Sequence, residues 1–133
     1  SLRLKIKINN SNDVAKLLMN ELKYEKREKV KLVLLNSKNI ILKIKDISYG
    51  GTNFAMIEPK EVLNEAIKVG APKMILVHNH PSGDPQPSKA DIEMTKILYD
   101  TGKIMQIPIL DHVIIGQKSY FSFIPLRLRK NIK

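Results

Sequence analysis

Residues 73–80, KMILVHNH, run from a short apolar segment straight into two histidines one residue apart. The next residues, PSGDPQPSKAD, hold three prolines and a glycine. A short, nearly unbroken apolar run of this kind reads as a strand buried in the centre of a sheet, which needs covering layers on both faces. The prolines at 81, 85 and 87 oppose a helix or an inner strand, and Gly83 allows a sharp turn. Ser88 and Asp91 then form an S-x-x-D pattern that opens a helix in the manner of a capping box. The middle of the chain is therefore committed to a strand, a stiff loop and a helix.

The flanking segments fit the same plan. Residues 2–8, LRLKIKI after Ser1, alternate apolar and basic residues as a short edge strand would. A helix follows, with Asn10, Ser11 or Asn12 as its cap and Val14, Leu17, Leu18 and Leu22 as its apolar stripe. Residues 29–35 and 39–45 read as two strands joined by a polar turn. SYGGTNFAMI, residues 48–57, reads as a Gly-Gly turn or bulge leading toward a further strand. Pro59 suits the first turn of a second helix that buries Val62, Leu63, Ala66 and Ile67, with Gly70 as its cap. The helix from Ser88 is expected to stop at Gly102, and ILDHVIIG with KSYFSF reads as a closing hairpin around Gly116 and Gln117. The order gives an α/β (α+β) domain with a mixed sheet sandwiched by helices. We divide it as an N-terminal segment 1–10, a domain 11–124 and a basic tail 125–133.

With 133 residues, one domain of this size buries enough surface to fold without a metal or a disulfide. The chain has no cysteine, which excludes disulfides, Cys-type zinc sites and thiol catalysis. No apolar run approaches the roughly 20 residues of a membrane span, and no signal peptide is visible, so cytoplasmic residence is the expectation. The net charge of +10 is able to hold phosphates, which makes nucleic acid a possible partner. At 5% aromatic residues, a base-stacking platform is poorly supported.

In a strand, residues i and i+2 share a face with Cα atoms about 6.5–7 Å apart, so His78 and His80 can aim two imidazoles at one point. Zinc accepts two such nitrogens in a tetrahedral set but needs a third ligand. Asp91, in the first turn of the next helix, can supply it and leave the fourth position open, the mark of a catalytic site. Asp84 is a rival ligand, although its place in the turn also suits an Asx-type hydrogen bond. Asn79 points to the opposite face and is read as structural. Spacing alone also allows an account without metal, in which Ser88 and Asp91 simply cap the helix.

The string HNHPSGDPQPSKAD matches H-x-H-x(7)-S-x-x-D and resembles the signature of the JAMM (JAB/MPN) metalloproteases. With LDHVIIG and YFSF downstream, it is similar to the RadC branch of that superfamily, over roughly residues 11–123. The letters HNH are not those of an HNH nuclease, whose metal residues are spread along a ββα unit. The resemblance implies a deubiquitinase-like JAMM/MPN fold holding one zinc ion per chain through His78, His80 and Asp91. It implies a hydrolase of peptide or isopeptide bonds, with an unknown protein or peptide as substrate. It also implies a glutamate base just before an early strand, here Glu28, with Glu25 as the rival, and Ser88 as a donor to the oxyanion. By strand parity Glu28 shares a side with Val30, Leu32 and Leu34 and is expected to be partly desolvated. His112 matches a family position and is read as structural or as a support behind the ligands, not as a ligand itself. RadC proteins commonly carry a helical region ahead of this domain and a DNA-repair label. A DNA-associated module is therefore the alternative function, and a metal-dependent nuclease a weaker third.

Overall fold

A computed structural model describes residues 5–47 and 53–124. Five strands form one mixed sheet: β1 (Val30–Leu35), β2 (Ile41–Asp46), β3 (Lys73–Asn79), β4 (Ile109–Ile115) and β5 (Tyr120–Ser122). Their spatial order is β2-β1-β3-β4-β5. Neighbouring strands are antiparallel except β3 and β4, which run parallel. Three helices cover it: α1 (Ser11–Leu22), α2 (Pro59–Val69) and α3 (Lys89–Ile104). A parallel pair needs a crossover, and α3 supplies it between β3 and β4.

Two of the three inner strands, β1 and β3, are buried on both faces because both faces are covered. All six residues of β1 are buried, and so are Met74 to Asn79 of β3. On one side, Val14, Ala15, Leu18 and Leu22 of α1 pack against Val33, Leu35, Ile75, Val77, Val113 and Ile115. On the other, Val62 and Ala66 of α2 and Leu98 of α3 meet Val30, Leu32, Leu34, Met74 and Leu76, with Phe54 buried among them. The alternation places His78, in register with Val30 and Ile114, on the α3 side. Lys31 lies almost buried on the α1 side, where ion pairs with Glu21 and Asp46 satisfy its charge. The mixed sheet between helices is the fold expected from the sequence.

Four local expectations are corrected. The N-terminal edge strand reduces, among the described residues, to one antiparallel bridge between Lys7 and Ile40. Residues 48–52 of the SYGGTNFAMI segment lie outside the described residues, and Phe54–Met56 form a 3-10 turn rather than a strand. Ile67 is 56% exposed, because the buried face of α2 follows Val62 and Ala66, one turn apart, and Ile67 lies about 100° round the helix from Ala66. The third helix runs past Gly102 to Ile104. Gly102 is needed for space instead, since a Cβ there would stand 2.7 Å from the carbonyl oxygen of Ile107. The cap of α1 is Asn10, whose side chain accepts from the N–H of Asp13, and Gly70 ends α2 at φ 74°, as expected. The basic tail from residue 125 is outside the described residues.

Candidate metal centre

Three elements meet at the end of β3. His78 is its penultimate residue and fully buried, and His80 follows just beyond the strand. Asp91 is the third residue of α3 and only 4% exposed. The buried residues of α3 are Asp91, Thr95, Leu98 and Gly102, a 4-3-4 spacing that keeps one helix face against the sheet. The expected capping box is present: the Ser88 hydroxyl accepts from the N–H of Asp91 at 3.0 Å, and Asp91 Oδ2 accepts from the N–H of Ser88 at 3.1 Å. The cap fixes the carboxylate against the histidines.

The ligand atoms are close and convergent. His78 Nε2 and His80 Nε2 are 3.1 Å apart. Asp91 Oδ2 lies 3.0 Å from His80 Nε2 and 3.6 Å from His78 Nε2. Around a tetrahedral zinc with bonds of about 2.0–2.1 Å, donor atoms stand about 3.3–3.4 Å from one another. The three observed separations bracket that value, so these residues fit such an ion. His80 Nδ1 is 2.9 Å from the main-chain oxygen of Asp84. A carbonyl oxygen only accepts, so His80 carries a proton on Nδ1, and in its neutral form it turns a bare Nε2 toward the site. Asp84 itself spends its carboxylate on the N–H of Gln86 at 3.0 Å, an Asx-type bond, and is not in the cluster.

The electrostatics follow from this crowding. Burial opposes the charge on Asp91, but the adjacent His78 and His80 rings and the backbone N–H of Ser88 outweigh it and hold the carboxyl well below the usual carboxylate range. His80 is pushed up, chiefly by its hydrogen bond to Asp91 against the opposing effect of burial. His112 is pushed well down by burial, with the nearby His78 adding to the effect, and it is neutral.

Glu28, two residues before β1, reaches the same site. Its Oε1 accepts from the N–H of Phe54 at 2.9 Å and lies 3.7 Å from His78 Nε2. Its side chain is 22% exposed. Glu25 instead pairs with Lys29 at 3.1 Å. Ser88 sits at the rim, exposed, its oxygen engaged by the helix cap.

Two contributors escaped the sequence reading. Asn79, read there only as structural, clamps both sides of Glu28: its Oδ1 accepts from the N–H of Lys29 at 2.6 Å, and its Nδ2 donates to the carbonyl of Arg27 at 3.0 Å. Thr95 binds His112, which binds His78. A signal was present for Thr95, since a polar residue one turn after Asp91 stands on the helix face that must be buried.

A family model described as a RadC-like JAB domain matches residues 8–129. The chain belongs to the RadC-like JAB family. A UPF0758 protein of Clostridium botulinum (strain Okra / Type B1) is 47% identical over 116 residues, which is 87% of this chain and 51% of the relative. A UPF0758 protein of Clostridium novyi (strain NT) is 47% identical over 115 residues, 86% of this chain and 50% of the relative. The chain thus spans about half the length of the curated relatives it matches.

In this RadC-like JAB domain the proline-rich loop is held against the β4–β5 turn. Gly83, at φ +90°, donates its N–H to the carbonyl of His80 and accepts from the N–H of Gln117. A Cβ at Gly116 would stand 2.4 Å from the Gly83 oxygen and 2.9 Å from Pro85 Cδ. Gly116→Ala must therefore displace the segment whose Asp84 carbonyl sets the His80 ring. The expected result is a loss of about 1–3 kcal/mol in denaturant unfolding, as for other overpacked sites, with weakened metal binding. An alanine variant matching the parent in both measurements would show that the loop is free to move.

Proposed function

We propose that this domain hydrolyses a peptide or isopeptide amide bond, using one zinc ion per chain held by His78, His80 and Asp91. The observation that carries this reading is a set of three donor atoms 3.0–3.6 Å apart, with a Glu28 oxygen 3.7 Å from the His78 donor. Zinc with three protein ligands and an open position brings the pKa of a water toward about 7 and polarises a carbonyl oxygen. Glu28 acts as the general base, taking a proton from the attacking water and returning it to the amine as the C–N bond breaks. The cap engages Ser88 only as an acceptor, which leaves its own proton for the developing oxyanion. Support for a metal site also comes from the family to which the chain belongs.

Purification without chelators, followed by elemental analysis, is expected to give one zinc per chain; a metal-free, folded product would overturn the reading. The substrate is proposed to be a protein or peptide, and capture on an inactive Glu28 variant identifies it. Association with DNA is the second reading and rests on the net charge of +10. Its signature is an affinity for duplex or single-stranded DNA that falls steeply with salt, and no detectable binding at low salt would remove it. Among the described residues, no helix is long and apolar enough to cross a membrane.

A further inference from the structure

Behind the ligands lies a buried polar chain that the proposed reaction does not use. The hydroxyl of Thr95 is 2.7 Å from the main-chain oxygen of Asp91 and 2.7 Å from His112 Nδ1. His112 Nε2 is 2.7 Å from His78 Nδ1. All three side chains are almost fully buried. Phe54 and Phe123 lie against the His112 ring, with centroids at 4.2 Å and 4.8 Å, so its faces are packed against apolar rings.

The proton positions follow from counting donors. A hydroxyl has one proton and a carbonyl oxygen has none, so the Thr95 proton goes to Asp91 O. Thr95 Oγ1 is then an acceptor, and His112 must present Nδ1–H to it. A neutral imidazole carries one N–H, so His112 Nε2 is bare and must receive a proton from His78 Nδ1. The remaining nitrogen of His78, Nε2, is left bare, and it is the atom that faces His80 Nε2 and Asp91 Oδ2.

We propose that Thr95 is a positioning residue that fixes, through His112, the tautomer in which His78 offers Nε2 to a metal. The inference rests on the zinc reading above for its purpose, but not for its proton count. Without the hydroxyl, His112 Nδ1–H would be buried with no acceptor. Escape from that state requires the opposite tautomer along the whole chain, which puts a proton on His78 Nε2, where the ion must bind.

The test compares Thr95→Val, which keeps the shape and removes the hydroxyl, with Thr95→Ser, which keeps the hydroxyl. In Thr95→Val, zinc affinity measured against a competing chelator is expected to fall about 10–100-fold, as for other partners that orient a ligand. Imidazole 15N shifts of the zinc-free variant should show His78 moving from the Nδ1–H to the Nε2–H form. Thr95→Ser should keep the parent affinity and the Nδ1–H form. A general packing defect would not move the tautomer. Unchanged affinity and tautomer in Thr95→Val would overturn the proposal, and so would finding His112 as the Nε2–H form in the parent protein, a measurement that needs no variant. If the parent binds no zinc, the functional reading fails, while the tautomer shift still decides the role of Thr95.

Discussion

Replacing Asp91 by Ala is expected to abolish stoichiometric zinc binding while leaving the domain folded. The carboxylate is the single anion in the three-residue set, and without it two bare imidazole nitrogens 3.1 Å apart must hold the ion alone. Loss of a direct ligand should exceed the roughly 10–100-fold typical of residues that merely orient one. The fold should survive, because the variant keeps the N–H of residue 91 on the Ser88 hydroxyl and loses only the reciprocal bond of the cap, a loss on the order of 1 kcal/mol. Ser88→Ala is the matching control: it weakens the cap from the other side yet leaves the ligands in place, so it should retain zinc.

The same substitution carries a pH signature. Pairing with Asp91 raises the pKa of His80 above 6.5, so in the zinc-free protein that pairing stabilises fully below the unfolded value. The contribution fades as pH rises through the higher folded value. Zinc requires the bare nitrogen, so zinc affinity rises with pH over the same window. Chelated and zinc-loaded protein should therefore change stability in opposite directions between about pH 6 and 8. In Asp91→Ala the pairing is absent, and both trends should flatten. Unfolding titrations across this range, with and without chelator, measure it; parallel slopes in chelated and loaded protein would separate zinc from His80.

How much of this was legible beforehand depends on the distance over which each relation acts. His78, His80 and Asp91 are joined by strand parity and by a helix start, both local rules, so a short string was enough to place them together. Both faces of β3 are covered, and its nearly unbroken apolar letters said so; β1 is covered as well although Lys31 interrupts its letters. Gly102 was misread because a glycine near a helix end signals termination, whereas here the demand comes from Ile107 across the following turn. The periodicity of α2 gave Ile67 to the core, but a helix with small residues at its contact line buries a narrower stripe. Relations between strands are the least readable. Glu28 lies fifty residues before His78, and the amide of Asn79 meets the chain around Glu28 only because β1 and β3 pair in one register. Family resemblance pointed to Glu28; the residues that hold it needed coordinates.

Glu28→Gln is expected to keep one zinc per chain and to reduce amide hydrolysis by about 10²–10⁴-fold, the range a positioned general base contributes. Gln retains a carbonyl oxygen able to accept from the N–H of Phe54, so the side chain has reason to stay where Glu28 is. Asn79 holds the backbone at residues 27 and 29 in either case. What changes is the capacity to take a proton from water and release it to the departing amine. Because Glu28 lies 3.7 Å from His78 Nε2 and outside the set of three ligands, its loss should separate catalysis from metal content. Glu25→Gln is the decisive comparison, since Glu25 faces Lys29 and should be dispensable. Turnover of the same captured substrate by both variants, with zinc measured on each preparation, distinguishes the assignments. Full activity in Glu28→Gln together with loss in Glu25→Gln would move the base three residues back along the chain, to a carboxylate that the present geometry ties to a lysine.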